Sequence, residues 1–129
     1  MLGTPSYMSP EQAEGRLEAI GPTSDVYGLG ATLYEILTGG PPFTGEDQGE
    51  ILSRVRRGEF PSPRRVRPDC SPALDAICAR AMALRPEDRY PSVGTLAVDV
   101  DHWLADEPIS AFPESRPRRL LRRLRGHLA

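Results

Sequence analysis

At 129 residues, with 39% hydrophobic and 26% charged positions, the chain has room for one modest globular domain and is too apolar for wholesale disorder. All sixteen basic residues are arginine, which excludes chemistry that needs a lysine amine, from Schiff bases to phosphate-anchoring lysines. The net charge of −2 conceals a body with ten arginines against eighteen acids and a tail in which Arg116, Arg118, Arg119, Arg122, Arg123 and Arg125 meet no acid; this argues for interaction at the tail and against a nucleic-acid-binding body.

The first twenty-two residues are rich in Gly, Pro and Ser and read as loop, with one short helix from Pro10 to Glu14. The clearest helix follows at 23–38. Thr23 or Ser24 is its expected cap and Asp25 an acid in its first turn. Val26, Leu29, Leu33, Ile36 and Leu37 recur at helical spacing, and Gly39 and Gly40 end it before Pro41. Tyr27, Ala31 and Tyr34 occupy the remaining faces, the pattern of a helix buried on most sides. Residues 46–57 form an amphipathic surface helix with Ile51, Leu52 and Val55 on one side, closed by Gly58. The proline- and arginine-rich run from Glu59 to Asp69 reads as irregular.

Ser71 caps the next helix, with Pro72 at its first position and Leu74, Ile77, Cys78, Ala81 and Met82 along it. A turn at 85–91 leads to a helix capped by Ser92, with Val93, Leu96, Val100, Trp103 and Leu104 expected inward. The domain is expected to span 1–107, and 108–129 to be a proline-punctuated linker with an arginine-rich, possible juxtamembrane tail. No segment alternates like a strand, so the fold class is all-α. Cys70 and Cys78 read as reduced thiols, and no ligand set for a metal is present in the pattern. His102, beside Trp103, reads as a boundary residue rather than a base. No apolar run approaches the roughly 18 residues of a membrane span, and the N-terminus lacks a signal-peptide pattern, so a cytoplasmic location is expected.

Three strings in order, GTPSYMSPE at Gly3 to Glu11, SDVYGLGATLYEILTGGPPF at Ser24 to Phe43 and RPEDRYPS at Arg85 to Ser92, carry a resemblance. Together they are similar to the large lobe of a bacterial-type serine/threonine protein kinase, from the end of the activation segment to the last helix. The resemblance implies that Gly3, Thr4, Pro5, Ser6 and Tyr7 form the substrate-binding surface, with Thr4 helping to select serine or threonine. It implies structural roles for Glu11, as the partner of Arg89, and for Asp25, as the buried anchor of the catalytic loop. A buried carboxylate needs such a partner, because an unpaired one is costly to bury.

The glycine-rich loop, the lysine–glutamate pair, the catalytic aspartate and asparagine and the metal-binding aspartate of the family have no equivalent here, and the chain contains no asparagine at all. No catalytic or metal residue is therefore expected in this chain, and no cofactor, while ATP and Mg²⁺ belong to the intact parent. Protein substrates are the expected partners, through the Gly3–Glu11 loop and the 46–57 helix. The 116–125 tail suits an anionic membrane on the cytoplasmic side of an anchored parent. The competing reading is a non-catalytic interaction module that binds kinases, substrates or anionic membrane.

Overall fold

The computed structural model describes residues 5–111, and among them every regular element is helical. In chain order these are α1 (Pro10–Ala13), α2 (Pro22–Thr38), α3 (Gln48–Arg57), α4 (Pro63–Val66), α5 (Pro72–Ala81) and α6 (Val93–Leu104), with 3-10 turns at Pro5–Tyr7, Leu17–Ala19 and Pro86–Asp88. The expected arginine tail lies outside the described residues, as do Gly3 and Thr4.

α2 is the post on which the other helices lean. Its N-cap lies two or three residues before Thr23 or Ser24, the expected caps: Gly21 is the N-cap, Pro22 fills the first position, and the Ser24 hydroxyl reaches back to accept the Gly21 N–H at 3.2 Å. Pro22 is free to sit there because a first-turn residue has no intrahelical N–H bond to lose. Gly39 ends the helix in the left-handed region at φ 87°, a conformation that costs glycine little.

The buried side of α2 is Val26, Tyr27, Gly30, Ala31, Tyr34 and Thr38. Val26 packs with Ile77, Ala81, Tyr90, Leu96 and Ile109, while Tyr27 and Tyr34 pack with Phe43, Val55, Cys78 and Met82. The loop after α3 returns to α2 through edge-on contacts of Phe60 with Tyr34 and Phe43, at 5.7 and 5.4 Å between ring centres. The Tyr34 hydroxyl donates to the Pro61 carbonyl at 2.7 Å.

Burial on most sides of α2 does not hold for the described residues. Leu29 is 43% and Ile36 75% exposed, and they share a face with the exposed Asp25. α6 differs in the same sense. Leu96 and Asp99 are its buried residues, whereas Val93, Trp103 and Leu104 are exposed because nothing among the described elements covers them. α4 lies in the run expected to be irregular; its Arg64 N–H donates to Asp75 of α5 at 3.1 Å, a tertiary contact that residue pattern does not announce.

The packed chain also runs past the expected boundary at Glu107. Ile109 is 5% exposed within the α2–α5–α6 core, so residues 107–111 lie as a strap on the lobe.

α2 and the end of α5 approach closely at Gly30. A Cβ there would lie 2.8 Å from both the Ala81 Cβ and the Met82 Cγ. Gly30→Ala, which in an open helix would stabilise by up to about 1 kcal/mol, is therefore expected to destabilise by about 1–3 kcal/mol through overpacking. Urea denaturation checks it, and a gain in midpoint would show that the helices do not meet there.

Candidate functional site

The four residues of α1 are too few to hold a helix on propensity alone. Local chemistry and one distant residue fix them. Ser9 caps α1 in a reciprocal box: its hydroxyl oxygen accepts the Gln12 N–H at 3.3 Å, and the Gln12 side-chain oxygen accepts the Ser9 N–H at 2.9 Å. Pro10 then fills the first helical position and Glu11 turns into the interior.

Glu11 meets Arg89 there. The guanidinium donates from Nη1 to Glu11 Oε2 at 2.7 Å and from Nη2 to Oε1 at 2.9 Å, with both side chains almost wholly buried. Its other three N–H groups are also used, on the carbonyls of Ala83 at 2.7 Å, Leu84 at 3.1 Å and Thr23 at 3.2 Å. All five donors of the fork are thus satisfied, and one side chain ties α1 to the first turn of α2 and to the chain leaving α5. The Ser24 hydroxyl adds a 2.7 Å bond to Glu11 Oε2, and the guanidinium carbon lies 4.9 Å from the centre of the Tyr27 ring. Burial opposes the charge on Glu11, but the bonds from Arg89 and Ser24 outweigh it and hold the carboxyl down at about 2. Burial also pushes the Tyr27 hydroxyl well above the ordinary tyrosine range.

Upstream of α1 the segment lies against α2. Ser6 is buried, and Tyr7 is half-buried with its hydroxyl donating to Glu35. That bond, with burial, raises the Tyr7 hydroxyl above its usual value. The backbone of Pro5 opens the 3-10 turn. Asp25 is exposed in the first turn of α2, where the helix dipole favours an acid. Among the residues singled out from the sequence, the structure thus brings together Glu11 and Arg89, keeps Ser6 and Tyr7 close by on α2, and leaves Asp25 facing outward.

Beside the pin lies an open groove of about 370 Å³ lined by Pro10, Glu14, Arg16, Arg56, Arg85 and Glu87 among others. Two contacts of the site were not foreseen, Ser24 with Glu11 and Tyr7 with Glu35. Ser24 carried a signal, a hydroxyl near a helix start, but it pointed only to capping.

Among the described residues no group of three His, Cys, Asp or Glu side chains converges on a metal position, and the chain has no lysine or asparagine. These residues do not fit ATP with magnesium, so no step of phosphoryl transfer is assigned to them. Among the described residues no helix is long and apolar enough to cross a membrane.

Known proteins place the sequence in a family. Residues 1–98 match the family described as protein kinase domain. The serine/threonine-protein kinase PknH of Mycobacterium bovis is 39% identical over 105 residues, which is 81% of this chain and 17% of that protein. The serine/threonine-protein kinase PknB of Mycolicibacterium smegmatis is 41% identical over 100 residues, 78% of this chain and 16% of the relative. The tyrosine-protein kinase MasK of Myxococcus xanthus is 38% identical over 113 residues, 82% of this chain and 17% of the relative. The chain thus spans about a sixth of the length of these curated relatives. With residues 1–98 matched and relatives about 40% identical over most of it, this all-helical chain with its buried Glu11–Arg89 pin belongs to the protein kinase domain family.

Proposed function

We propose that the chain is the substrate-side helical part of a serine/threonine protein kinase, which holds the acceptor-binding segment rigid while the rest of the domain supplies ATP and Mg²⁺. The observation that carries this reading is the Arg89 fork, which fixes the segment around α1 to two helices of the core at once. Rigid placement is what phosphoryl transfer asks of a substrate platform, since that chemistry is mostly positioning and electrostatics. In this reading Gly3, Thr4, Pro5, Ser6 and Tyr7 face the acceptor peptide, and Thr4 favours serine or threonine. Protein substrates dock on that segment and on the exposed side of α3. The arginines at 116–125 suit the anionic cytoplasmic face of a membrane that anchors the parent.

The outer face of α2 supports the same reading. Asp25, Leu29 and Ile36 present a carboxylate and an apolar stripe to solvent, beside an apolar groove of about 280 Å³ between α2 and α6 lined by Leu29, Leu33, Leu96 and Val100 among others. A large exposed apolar strip on a helix otherwise packed as a core element is suited to cover by further protein. The catalytic loop and its preceding helix are the occupants this reading assigns, with Asp25 accepting backbone N–H groups of the loop. The interaction-module alternative is not favoured, since the matched family and its curated relatives are kinases.

The test is a chimera in which residues 5–111 replace the matching segment of the Mycolicibacterium smegmatis PknB kinase domain. It is expected to phosphorylate a serine/threonine protein substrate, and adding Arg89→Ala is expected to lower kcat/KM roughly 10²-fold, the cost of misplacing a substrate by about an ångström. A folded but inactive chimera, or phosphate transfer by the 129-residue chain alone, would contradict the proposal.

A further inference from the structure

Asp99 is buried on α6 at 2% exposure, yet none of the ion pairs among the described residues involves it. Its carboxylate is satisfied instead by the Tyr90 hydroxyl at 2.6 Å, the Ser110 N–H at 2.8 Å, the Ser110 hydroxyl at 2.9 Å and the Ala111 N–H at 3.1 Å. Three of these four donors come from the strap, so Asp99 is the strap's polar anchor and Ile109 its apolar one. Ser110 itself is exposed and lies outside any helix. Its hydroxyl oxygen also accepts Arg80 Nη1 at 2.9 Å, while the Arg80 guanidinium covers the Tyr90 ring at 4.3 Å. The hydroxyl therefore stands between a buried carboxylate and a partly exposed arginine. The strap lies beyond residues 1–98, the part that matches the kinase family.

We propose that Ser110 is a phosphorylation site whose occupancy releases the 107–111 strap from the lobe. A serine-specific kinase transfers the terminal phosphoryl group of a nucleoside triphosphate to Ser110 Oγ. The bond to the β-phosphate breaks, an Oγ–P bond forms, the hydroxyl proton is lost and the nucleoside diphosphate leaves. The strap reaches the enzyme by transient undocking: three hydrogen bonds to Asp99, one from Arg80 to Ser110, the Glu107 N–H bond to the His102 carbonyl and the side chains of Ile109 and Ala111 hold it, while Pro108 and Ser110 are exposed. Once modified, Oγ cannot return to Asp99. It no longer has a proton to donate, and a phosphate near −2 would face a buried carboxylate that forms no ion pair among the described residues. Arg80 is positioned to pair with the phosphate on the solvent side. The modified strap thus loses Asp99 while keeping Arg80, Ile109 leaves the core, and the point from which the chain continues shifts.

Ser24 offers a contrast. It also bonds a buried carboxylate, but it is 3% exposed inside α2 and has no comparable route to an enzyme.

The proposal stands apart from whether the parent transfers phosphate, because the enzyme is supplied in the test. The full 129-residue chain is incubated with ATP and an active bacterial serine/threonine kinase, and phosphopeptides are mapped by mass spectrometry. Phosphate on Ser110 is expected, gained about tenfold faster in Asp99→Asn, whose neutral side chain holds the strap less firmly. In parallel, the chain carrying phosphoserine at 110 by protein ligation is compared with Ser110→Ala by amide hydrogen exchange at positions 110 and 111. The phosphorylated strap is expected to exchange about 10²-fold faster than the unmodified one, and Ser110→Ala less than about tenfold faster, since it keeps both backbone bonds to Asp99. Absence of phosphate from Ser110 of the wild-type chain would overturn the proposal, whatever Asp99→Asn shows. So would exchange in the phosphorylated chain no faster than in Ser110→Ala.

Discussion

Arg89→Ala is expected to remove about 3–5 kcal/mol of stability, a large part of the roughly 5–15 kcal/mol that holds a typical domain together. The cost follows from what is left behind. Glu11 would remain buried with the Ser24 hydroxyl and its own backbone N–H but no cation on its carboxylate, and the carbonyls of Thr23, Ala83 and Leu84 would lose their side-chain donor. Arg89→Lys tests the geometry apart from the charge. A lysine ammonium has three donors against the five used here, and it cannot span both carboxylate oxygens in a planar fork. It is expected to recover less than half of the loss. Equilibrium denaturation of the three proteins measures both effects, and full recovery by lysine would show that charge alone suffices.

Acid is expected to release the same pin. The folded Glu11 carboxyl lies at about 2 against an ordinary value of 4.5, so the unfolded chain binds the proton more tightly. The stabilisation is therefore fully present above pH 4.5 and is lost as the pH falls towards 2. A difference of this size corresponds to roughly 3 kcal/mol. Asp99, whose carboxyl is also held below its usual range by hydrogen bonds that outweigh its burial, adds to the loss in the same direction. Glu11→Gln should be less stable at neutral pH and should show a shallower decline over that window, with the Asp99 part remaining. Parallel slopes in the two proteins would place the acid sensitivity elsewhere.

The sequence was readable to different depths at different places. α3 and α5 follow from local signals: Asp47 and Ser71 accept N–H groups of the first turn, and Gly58 closes α3 in the left-handed region. α2 was legible as a helix but not as an oriented one. Apolar residues lie all round it, and periodicity cannot say which face meets a partner; Tyr27, Gly30, Ala31 and Tyr34 turned inward while Leu29 and Ile36 turned out. Its true start was hidden because a glycine cap offers no side chain to recognise. Asp99 was unreadable for a different reason. Three of its partners belong to Ser110 and Ala111, which sit beyond a turn and carry no charge to suggest pairing. Glu11 and Arg89, 78 positions apart, were joined in advance only through the family resemblance, since no local pattern links residues at that distance. The saturation of all five arginine donors became visible only once the carbonyls of Thr23, Ala83 and Leu84 were in place.

The most direct test of the account is a double-mutant cycle at Glu11 and Arg89, with each residue replaced by alanine singly and together and stability measured by denaturant unfolding of the full chain. If the buried pair fixes the α1 segment to the helical core, the coupling should reach roughly 2 kcal/mol or more, above the 0.2–1 kcal/mol or so of an exposed pair. Single effects that add to within about 0.5 kcal/mol would contradict it, because the two side chains would then be acting independently.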